Sequence, residues 1–265
     1  MIETERLDVA LARRLLARSR SHATTLITDG AVRVDGHTAL RASQRVALDA
    51  QLEVVGDHGY VSRGALKLVA ALDSFDVPVS ERRALDAGAS TGGFSQVLLE
   101  RGAARVIAVD VGHDQLAPQL LGDPRLIQVE GVNIRSCTPS DLESLTGETA
   151  PPDLVVADLS FISLTQVIPA LRALATPDAD LILLIKPQFE VGRGGIREGI
   201  VRDAHLREDA VARVLWAAFH AGLGVAGLIE SPIVGSHGNR EYVVHLTETG
   251  THPTHWLDRV TEITR

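Results

Sequence analysis

The sequence predicts an α/β protein with a doubly wound, mostly parallel sheet, preceded by a small α+β domain. Short apolar runs alternate with helix-length segments from about residue 84 to residue 247. A glycine-rich turn follows the first of these runs. Residues 1–58 instead combine two short helical patterns with short alternating segments, which indicates a separate domain.

Length, charge and cysteine content limit the classes of protein that fit. A chain of 265 residues can hold one average α/β domain and a small one. No apolar run approaches the ~20 residues that cross a bilayer, and no signal pattern opens the chain, so we expect a soluble, cytoplasmic protein. The single cysteine, Cys137, excludes an intrachain disulfide and a cysteine-rich zinc site. The 10 histidines form no H-E-x-x-H pattern, so we expect no metal.

The acidic charge is distributed unevenly. Residues 1–58 carry 8 arginines and 8 acidic residues, so the whole net charge of -8 belongs to the rest of the chain. Residues 6–29 have the apolar spacing of two short helices. Residues 31–36 alternate as a strand that ends in an Asp-Gly turn, and residues 51–55 resemble another strand. This size and content are typical of a docking domain, although a solvated charged face is the plain alternative for its arginines.

The chain changes character after two close glycines in residues 56–64. We predict domain 1–58, a linker at 59–62, a catalytic domain at 63–248 and a C-terminal tail at 249–265. The larger domain should begin with a helix at about 63–75. Its predicted strands are 84–90, 105–111, 125–131, 153–159, 180–187, 225–231 and 241–247.

A glycine-rich turn between the first strand and the next helix predicts a cofactor site, because glycines let the backbone approach a ligand at a helix start. The spacing of its glycines does not fit the dinucleotide pattern G-x-G-x-x-G and favours S-adenosylmethionine, with a nicotinamide cofactor and a purely structural turn as alternatives. Asp110 ends the second strand, where a carboxylate can accept both ribose hydroxyls, and Asn133 follows the third strand, where adenine could be recognised. The candidate cofactor residues are Asp86, Gly88, Ala89, Ser90, Thr91, Gly92, Gly93, Phe94, Asp110, Val111, Asn133 and Asp158.

Four charged residues are predicted to meet at the carboxyl edge of the sheet, where ligands bind in open α/β folds. Asp158 ends the fourth strand and Lys186 the fifth. If the last strand runs antiparallel beside the fifth, as in methyltransferase-type sheets, Glu241 arrives at the same edge. Lys67, on the preceding helix, can also face it. A strand-end salt bridge is the plain alternative.

The lysine content supports this site. The chain has 24 arginines but two lysines, and these are Lys67 and Lys186. An ammonium can give up its proton whereas a guanidinium cannot, so a site that needs a base cannot use arginine. Lys186 could accept a hydroxyl proton while Lys67 stabilises the developing oxyanion. The strand-four sequence Asp158-Leu-Ser-Phe161 lacks the N/D-P-P-Y/F pattern of nitrogen methylation, which favours an oxygen acceptor.

With these residues assembled, the chain resembles the TlyA family of rRNA 2'-O-methyltransferases, relatives of the FtsJ type that are also called hemolysins. The resemblance rests on motifs that span almost the whole chain: ARSRSHA (17–23), VRVDG (32–36), VSRGALKL (61–68), LDAGASTGGF (85–94), DLVVADLSFISL (153–164), KPQFEVG (186–192) and GNREY (238–242).

The resemblance implies a Rossmann-like class I methyltransferase sheet with an antiparallel last strand, S-adenosylmethionine as cofactor and cytidine ribose of rRNA in the ribosomal subunits as substrate. It also implies that Lys67, Asp158, Lys186 and Glu241 match the family's K-D-K-E tetrad. Residues 1–58 then correspond to an RNA-binding module. The RNA-binding candidates are Arg6, Arg18, Arg20, Arg41 and, in the larger domain, Arg135.

One departure and two alternatives stay open at this stage. The family often has R-x-W-V in the linker, where this chain has His58-Gly59-Tyr60-Val61, so a coupling of RNA docking to cofactor binding is in doubt. A non-catalytic RNA-binding or ribosome-assembly factor would need neither a full tetrad nor a full glycine turn. A membrane-active hemolysin would need a segment able to span or insert into a membrane, and none is evident.

Overall fold

The structure is a computed structural model, and it describes residues 4–14, 16–17, 19–28, 30–39, 41–54, 59–192, 196, 198–235 and 238–265. The chain forms two compact units, residues 1–59 and residues 60–265.

The first unit is a small α+β fold. Its elements are β1 (Thr4–Arg6), α1 (Leu7–Arg13), α2 (Arg20–Thr28), β2 (Val32–Val34), β3 (His37–Thr38), β4 (Arg45–Ala47) and β5 (Leu52–Val54). Strand β2 lies between β3 and β5, and β1 pairs with β4. The Asp35-Gly36 turn joins β2 to β3, and both residues have positive φ, as a tight hairpin turn requires.

The second unit contains a seven-stranded sheet and its flanking helices. The strands are β6 (Arg83–Ala87), β7 (Arg105–Val109), β8 (Leu126–Val129), β9 (Leu154–Ala157), β10 (Asp180–Ile185), β11 (Gly224–Glu230) and β12 (Tyr242–Thr247). The helices are α3 (Gly64–Phe75), α4 (Gly93–Glu100), α5 (Pro139–Thr146), α6 (Ile168–Leu174), α7 (Pro187–Glu190), α8 (Ala204–His220) and α9 (Leu257–Thr264).

The strand order is β11-β12-β10-β9-β6-β7-β8, and β12 runs antiparallel to both of its neighbours. The chain therefore builds outward from β6 in one direction and, after β8, from β9 in the other. This reversal places a topological switch point between β6 and β9, where ligands of open α/β sheets bind.

Alternate residues of the central strands enter two different hydrophobic cores. Leu85, Ile107 and Val155 belong to one core. Ala84 and Val106 belong to the other. Because successive side chains of a strand point to opposite faces, the sheet is covered on both sides. This is why its strands appear in the sequence as continuous apolar runs.

The architecture confirms the predicted fold class, including the antiparallel last strand. Strands β1, β3 and β4 were not predicted from the sequence: Thr4–Arg6 and His37–Thr38 contain no apolar residue, and Arg45–Ala47 does not alternate between apolar and polar residues. The segment after residue 248 contributes α9, which packs against α8 and β11. Among the described residues, the structure contains no helix with both the length and the apolar character needed to cross a bilayer.

Candidate active site

The four charged residues predicted from the sequence meet at the switch-point edge of the sheet. Lys67 lies on α3, Asp158 directly follows β9, Lys186 directly follows β10 and Glu241 directly precedes β12. The antiparallel register pairs Tyr242 with Ile185, so Glu241 and Lys186 arrive side by side.

Two ion pairs and a longer contact link the four side chains. Nζ of Lys67 donates to Oε2 of Glu241 at 2.5 Å and lies 4.0 Å from Oδ2 of Asp158. Nζ of Lys186 lies 2.6 Å from Oδ1 of Asp158. Asp158 therefore contacts both lysines, and the four groups form one cluster.

Charge balance explains how this cluster survives burial. Lys67 and Lys186 are each 8% exposed and Glu241 is 2% exposed. Removing an isolated charge from water costs several kcal/mol, so buried charges require partners. Two ammonium groups and two carboxylates sum to zero. The sequence-based expectation that the lysines would need acidic partners agrees with these contacts.

The segment that follows Asp158 adds two features to the site, a hydroxyl group and an exposed aromatic ring. Oγ of Ser160 accepts a hydrogen bond from Nζ of Lys186 at 3.0 Å. Phe161 is 92% exposed and has a φ of +66°, and its ring lies 5.3 Å from the ring of Phe189. A bulky residue in left-handed backbone is strained, and such strain is concentrated at functional sites.

The glycine turn between β6 and α4 is built as predicted. Gly88 has a φ of +83° and Gly92 a φ of +90°. A Cβ atom on Gly88 would lie 3.1 Å from the backbone oxygen of Asp158, and one on Gly92 would lie 2.4 Å from Cδ1 of Leu120. Both positions therefore exclude side chains sterically as well as conformationally.

Acidic residues at the ends of β6 and β7 occupy different environments. Asp86 is fully buried beneath the turn, where its Oδ2 accepts a hydrogen bond from Oγ of Ser95 at 2.7 Å. Burial raises the pKa of Asp86 to about 7. Asp110 instead reaches the surface, where its Oδ2 and Oδ1 accept the backbone N–H groups of Ser90 and Gly112, both at 2.8 Å.

The remaining candidate cofactor residues differ in exposure: Ala89, Gly93 and Phe94 are buried, whereas others reach the surface. Val111 is 65% exposed, an unusual position for a large apolar side chain beside a strand end. Asn133 is exposed and its side-chain oxygen accepts the backbone N–H of Arg135, which caps a short 3-10 turn at Ile134–Ser136. Ala89, Ser90, Thr91, Gly93 and Phe94 complete the turn and the start of α4.

The linker residues that open the second unit pack against the same helix. The backbone N–H of Val61 donates to Oε1 of Gln96 at 2.7 Å, and Gln96 lies on α4. Burial, followed by the nearby carboxylate of Glu100, raises the pKa of Tyr60. The aromatic ring at position 60 thus contacts the cofactor-turn helix although the indole of the family pattern is absent. His58 lies outside the described residues.

The arginines predicted to bind RNA differ in how firmly they are held. Arg6 and Arg20 both form ion pairs with Asp8, which is buried, at 2.9 and 3.0 Å. The side chain of Arg41 is exposed and makes no ion pair or hydrogen bond to any described residue. Arg135 is also exposed, and Arg18 lies outside the described residues. No group of three or more His, Cys, Asp or Glu side chains in the described ranges is arranged to hold a metal ion.

The sheet order and the edge that carries this cluster define a methyltransferase-type α/β fold, and comparison with known proteins identifies its family. The model of the FtsJ-like methyltransferase family matches residues 60–248, and the model of the S4 domain matches residues 5–52.

Individual relatives agree with these matches. The 16S/23S rRNA (cytidine-2'-O)-methyltransferase TlyA of Mycobacterium tuberculosis is 49% identical over 93% of this chain and 91% of the relative. Hemolysin A of Brachyspira hyodysenteriae is 36% identical over 91% of this chain and 98% of the relative. A solved structure from Streptococcus thermophilus is 35% identical and has a TM-score of 0.77, covering 100% of this chain and 95% of the other. The chain therefore belongs to the FtsJ-like methyltransferases and, within them, to the TlyA family.

Proposed function

We propose that this enzyme transfers a methyl group from S-adenosylmethionine to the ribose 2'-hydroxyl of a cytidine in ribosomal RNA. The observation that carries the proposal is the buried cluster of both lysines with Asp158 and Glu241 at the switch point of a methyltransferase-type sheet. The named activity of the Mycobacterium tuberculosis relative supports the same reaction. A ribosomal substrate would place the reaction in the cytoplasm.

The residues at the glycine turn fit S-adenosylmethionine. The left-handed backbone at Gly88 and Gly92 favours glycine at both positions, and the turn leads into the start of α4, where backbone N–H groups can face a ligand. Asp110 remains partly exposed, and each carboxylate oxygen has a further lone pair with which to accept a ribose hydroxyl. Val111 offers an apolar surface to an adenine ring, and Asn133 lies exposed after the next strand. When bound, S-adenosylmethionine supplies a methyl group on a sulfonium centre; a nucleophilic oxygen can bond to this methyl carbon without a metal, while the carbon–sulfur bond breaks and S-adenosylhomocysteine leaves.

The two lysines have different roles in activating the ribose hydroxyl. Lys186 acts as a neutral amine that has first released its own proton to solvent: Nζ then accepts the hydroxyl proton, and the ammonium that forms is held by Oδ1 of Asp158 at 2.6 Å and Oγ of Ser160 at 3.0 Å. Lys67 remains cationic beside Glu241 and stabilises negative charge that develops on the ribose oxygen. Asp158 contacts both lysines and so fixes their separation.

The first unit supplies RNA binding in this proposal. Its match to the S4 domain supports contact with RNA phosphates, as do the exposed side chains of Arg20 and Arg41. Arg6, which is half-buried, and Arg18, which lies outside the described residues, are further candidates. Arg135 lies on the catalytic unit beside Asn133, where it could contact RNA near the reacting nucleotide. Phe161 follows Ser160, which contacts Lys186, and its exposed aromatic face is suited to stacking on a base that has left its helix.

Methyl transfer can be measured directly with tritiated S-adenosylmethionine. Purified protein is incubated with intact ribosomes, separated small and large subunits, and free rRNA, and Lys186→Ala is compared with wild type and with Arg259→Ala as a surface control. We expect label in rRNA that Lys186→Ala abolishes and Arg259→Ala retains, recovered as 2'-O-methylcytidine after digestion. The subunit that accepts label identifies the substrate particle.

Three results would redirect the proposal. Cofactor binding without transfer to any ribosomal particle would favour the assembly-factor alternative. Equal transfer by wild type and Lys186→Ala would exclude Lys186 as the base. Release of haemoglobin from red cells by the purified protein would support the hemolysin alternative, which the name of the Brachyspira hyodysenteriae relative raises.

A further inference from the structure

We propose that Glu190 is a positioning residue that anchors the segment 159–164 to the helix after Lys186 and so fixes Ser160 and Phe161 beside that lysine. Glu190 lies four residues after Lys186, at the end of α7. The segment 159–164 follows Asp158 at the end of the neighbouring strand β9. The catalytic part of this inference rests on the proposed function.

The anchor consists of two hydrogen bonds to one carboxylate. Oε1 of Glu190 accepts the backbone N–H of Leu164 at 2.8 Å. Oε2 accepts the hydroxyl of Ser163 at 2.5 Å. The backbone oxygen of Glu190 in turn accepts a hydrogen bond from Arg213 at 2.9 Å. The carboxylate therefore connects the segment after β9 to α7, and Arg213 connects α7 to α8.

Burial of the Glu190 carboxylate costs desolvation free energy. Glu190 is 5% exposed, and burial raises the pKa of its carboxyl group. It forms no ion pair within 4 Å among the residues that the structure describes, since Arg213 reaches its backbone oxygen. A neutral side chain of similar size would cap Leu164 without this desolvation cost. Because both of its oxygens act as acceptors, the buried carboxyl group holds Ser163 and Leu164 together at the end of α7.

The segment that Glu190 holds contains the strained backbone of Phe161. Left-handed φ at a bulky residue costs about 1–3 kcal/mol and persists only where the surroundings impose it. Phe161 is 92% exposed, so its own packing supplies little restraint. The segment is fixed before Phe161 by the hydrogen bond from the N–H of Asp158 to the oxygen of Ala87, and after Phe161 by Glu190.

The same segment carries the hydroxyl that contacts the proposed base. Oγ of Ser160 accepts a hydrogen bond from Nζ of Lys186. Glu190 is linked to both residues: it follows Lys186 by four positions in the chain, and it binds Ser163, which lies three positions after Ser160. Releasing Glu190 should allow Ser160 and Phe161 to move relative to Lys186. It should leave the glycine turn and Asp110 in place, because Glu190 contacts neither.

Glu190→Ala tests the anchor with two independent measurements. Hydrogen exchange should show faster exchange at the Leu164 amide and across 159–164, which does not depend on any activity. Steady-state transfer should show kcat lowered about 10–100-fold, since small displacements at a reacting centre have effects of this size. Kd for S-adenosylmethionine should stay within about twofold of wild type, because Glu190 contacts neither the glycine turn nor Asp110.

Further variants separate positioning from stability. Glu190→Gln keeps an acceptor for Leu164 and can donate to Ser163, so it should restore kcat to within about threefold of wild type. Ser163→Ala removes one of the two hydrogen bonds and should lower kcat by an intermediate amount. The same substitution should lower kcat less in Glu190→Ala than in wild type, because the two residues share one contact. Glu143→Ala, an exposed glutamate on α5, serves as the matched control and should change nothing.

The outcomes distinguish this inference from the proposed function. Unchanged exchange at Leu164 in Glu190→Ala, or equal changes in kcat, KM and cofactor Kd, would overturn the anchor even if wild type is an active methyltransferase. If Glu190→Ala does not fold, a wild-type kcat in Ser163→Ala overturns it instead. Absence of methyl transfer in wild type, with faster exchange at Leu164 in Glu190→Ala, would refute the proposed function and leave the anchor standing.

Discussion

Lys67 and Glu241 lie 174 residues apart in the chain, and yet Nζ of one is 2.5 Å from Oε2 of the other, with both side chains buried. Glu241 reaches Lys67 because β12 runs antiparallel to β10, which places the start of β12 at the carboxyl edge of the parallel strands. The residue before an antiparallel strand thus lies at this edge of the sheet. A parallel strand would place the residue after its last position there.

Glu241→Ala should destabilise the protein by about 3–5 kcal/mol, because it leaves a buried ammonium with Asp158 at 4.0 Å as its nearest acidic group. The double variant Lys67→Ala/Glu241→Ala should be more stable than Glu241→Ala alone, since the unpaired cation is gone. Urea unfolding of both variants measures the difference. Strictly additive losses would mean that the two side chains do not interact in solution.

Asp86 should make stability depend on pH near neutrality. Its pKa is raised by burial from 3.8 to about 7, so between these values the folded state holds a proton that the unfolded state has released. Stability is therefore fully present below about pH 4 and falls as pH rises towards 7, by at most about 4 kcal/mol.

Asp86→Asn isolates this contribution. The difference in unfolding free energy between Asp86→Asn and wild type should move in favour of the variant from pH 5 to pH 7, and should level off above about pH 8. Urea unfolding at several pH values supplies the measurement, and the use of a difference cancels the titration of other groups. A constant difference across this range would show that Asp86 titrates like an exposed carboxylate.

The sequence predicted the sheet and the four charged residues because both are recorded in local patterns. Buried parallel strands produce apolar runs, and the residue that ends such a run lies at the ligand-binding edge. Asp158 and Lys186 could be located in this way. The prediction of Lys67 as a site residue depended, in addition, on the fact that the chain contains only two lysines.

Contacts made by loops could not be predicted in the same way. Ser160 and Glu190 join the site through the path of the backbone after β9 and β10, which no periodicity describes. The pairing of Arg6 and Arg20 with one carboxylate could not be predicted from the sequence either, because Asp8 occupies an ordinary position in the first turn of α1. A usable signal was the position of Glu190, one helical turn after a candidate base.

Arg41 and Arg20 should affect RNA binding differently because their surroundings differ. Arg41→Gln removes an exposed cation with no contact to a described side chain, so it should weaken RNA binding and reduce the salt dependence by about one unit of slope without changing stability. Arg20→Gln should also destabilise the first unit, since Arg20 and Arg6 together hold the pKa of buried Asp8 below its usual range. Filter binding across a salt series, paired with thermal unfolding, separates these effects. A slope unchanged by Arg41→Gln would remove this residue from the RNA interface.

Arg207 should be a main source of stability in the catalytic unit, although it contacts no substrate-binding residue. Its guanidinium is 7% exposed and forms no ion pair with a described carboxylate. It donates instead to backbone oxygens of Thr264, Val201 and Arg202 at 2.7 to 3.2 Å. Thr264 ends α9, and carbonyl oxygens at a helix C-terminus carry the partial negative charge that a buried cation requires.

Arg207→Gln should lower the free energy of unfolding by about 3 kcal/mol or more, because several hydrogen bonds to a charged donor are lost and their carbonyl acceptors stay buried. Arg207→Lys should recover part of this loss, since a single ammonium cannot reproduce the planar donor set that serves both α9 and the segment before α8. Arg202→Gln is the matched control: its side chain is 68% exposed and pairs with exposed Glu198, so its effect should stay within about 0.5 kcal/mol. Equal urea midpoints for Arg207→Gln and Arg202→Gln would show that α9 is held by its apolar face alone, through residues such as Val260 and Ile263.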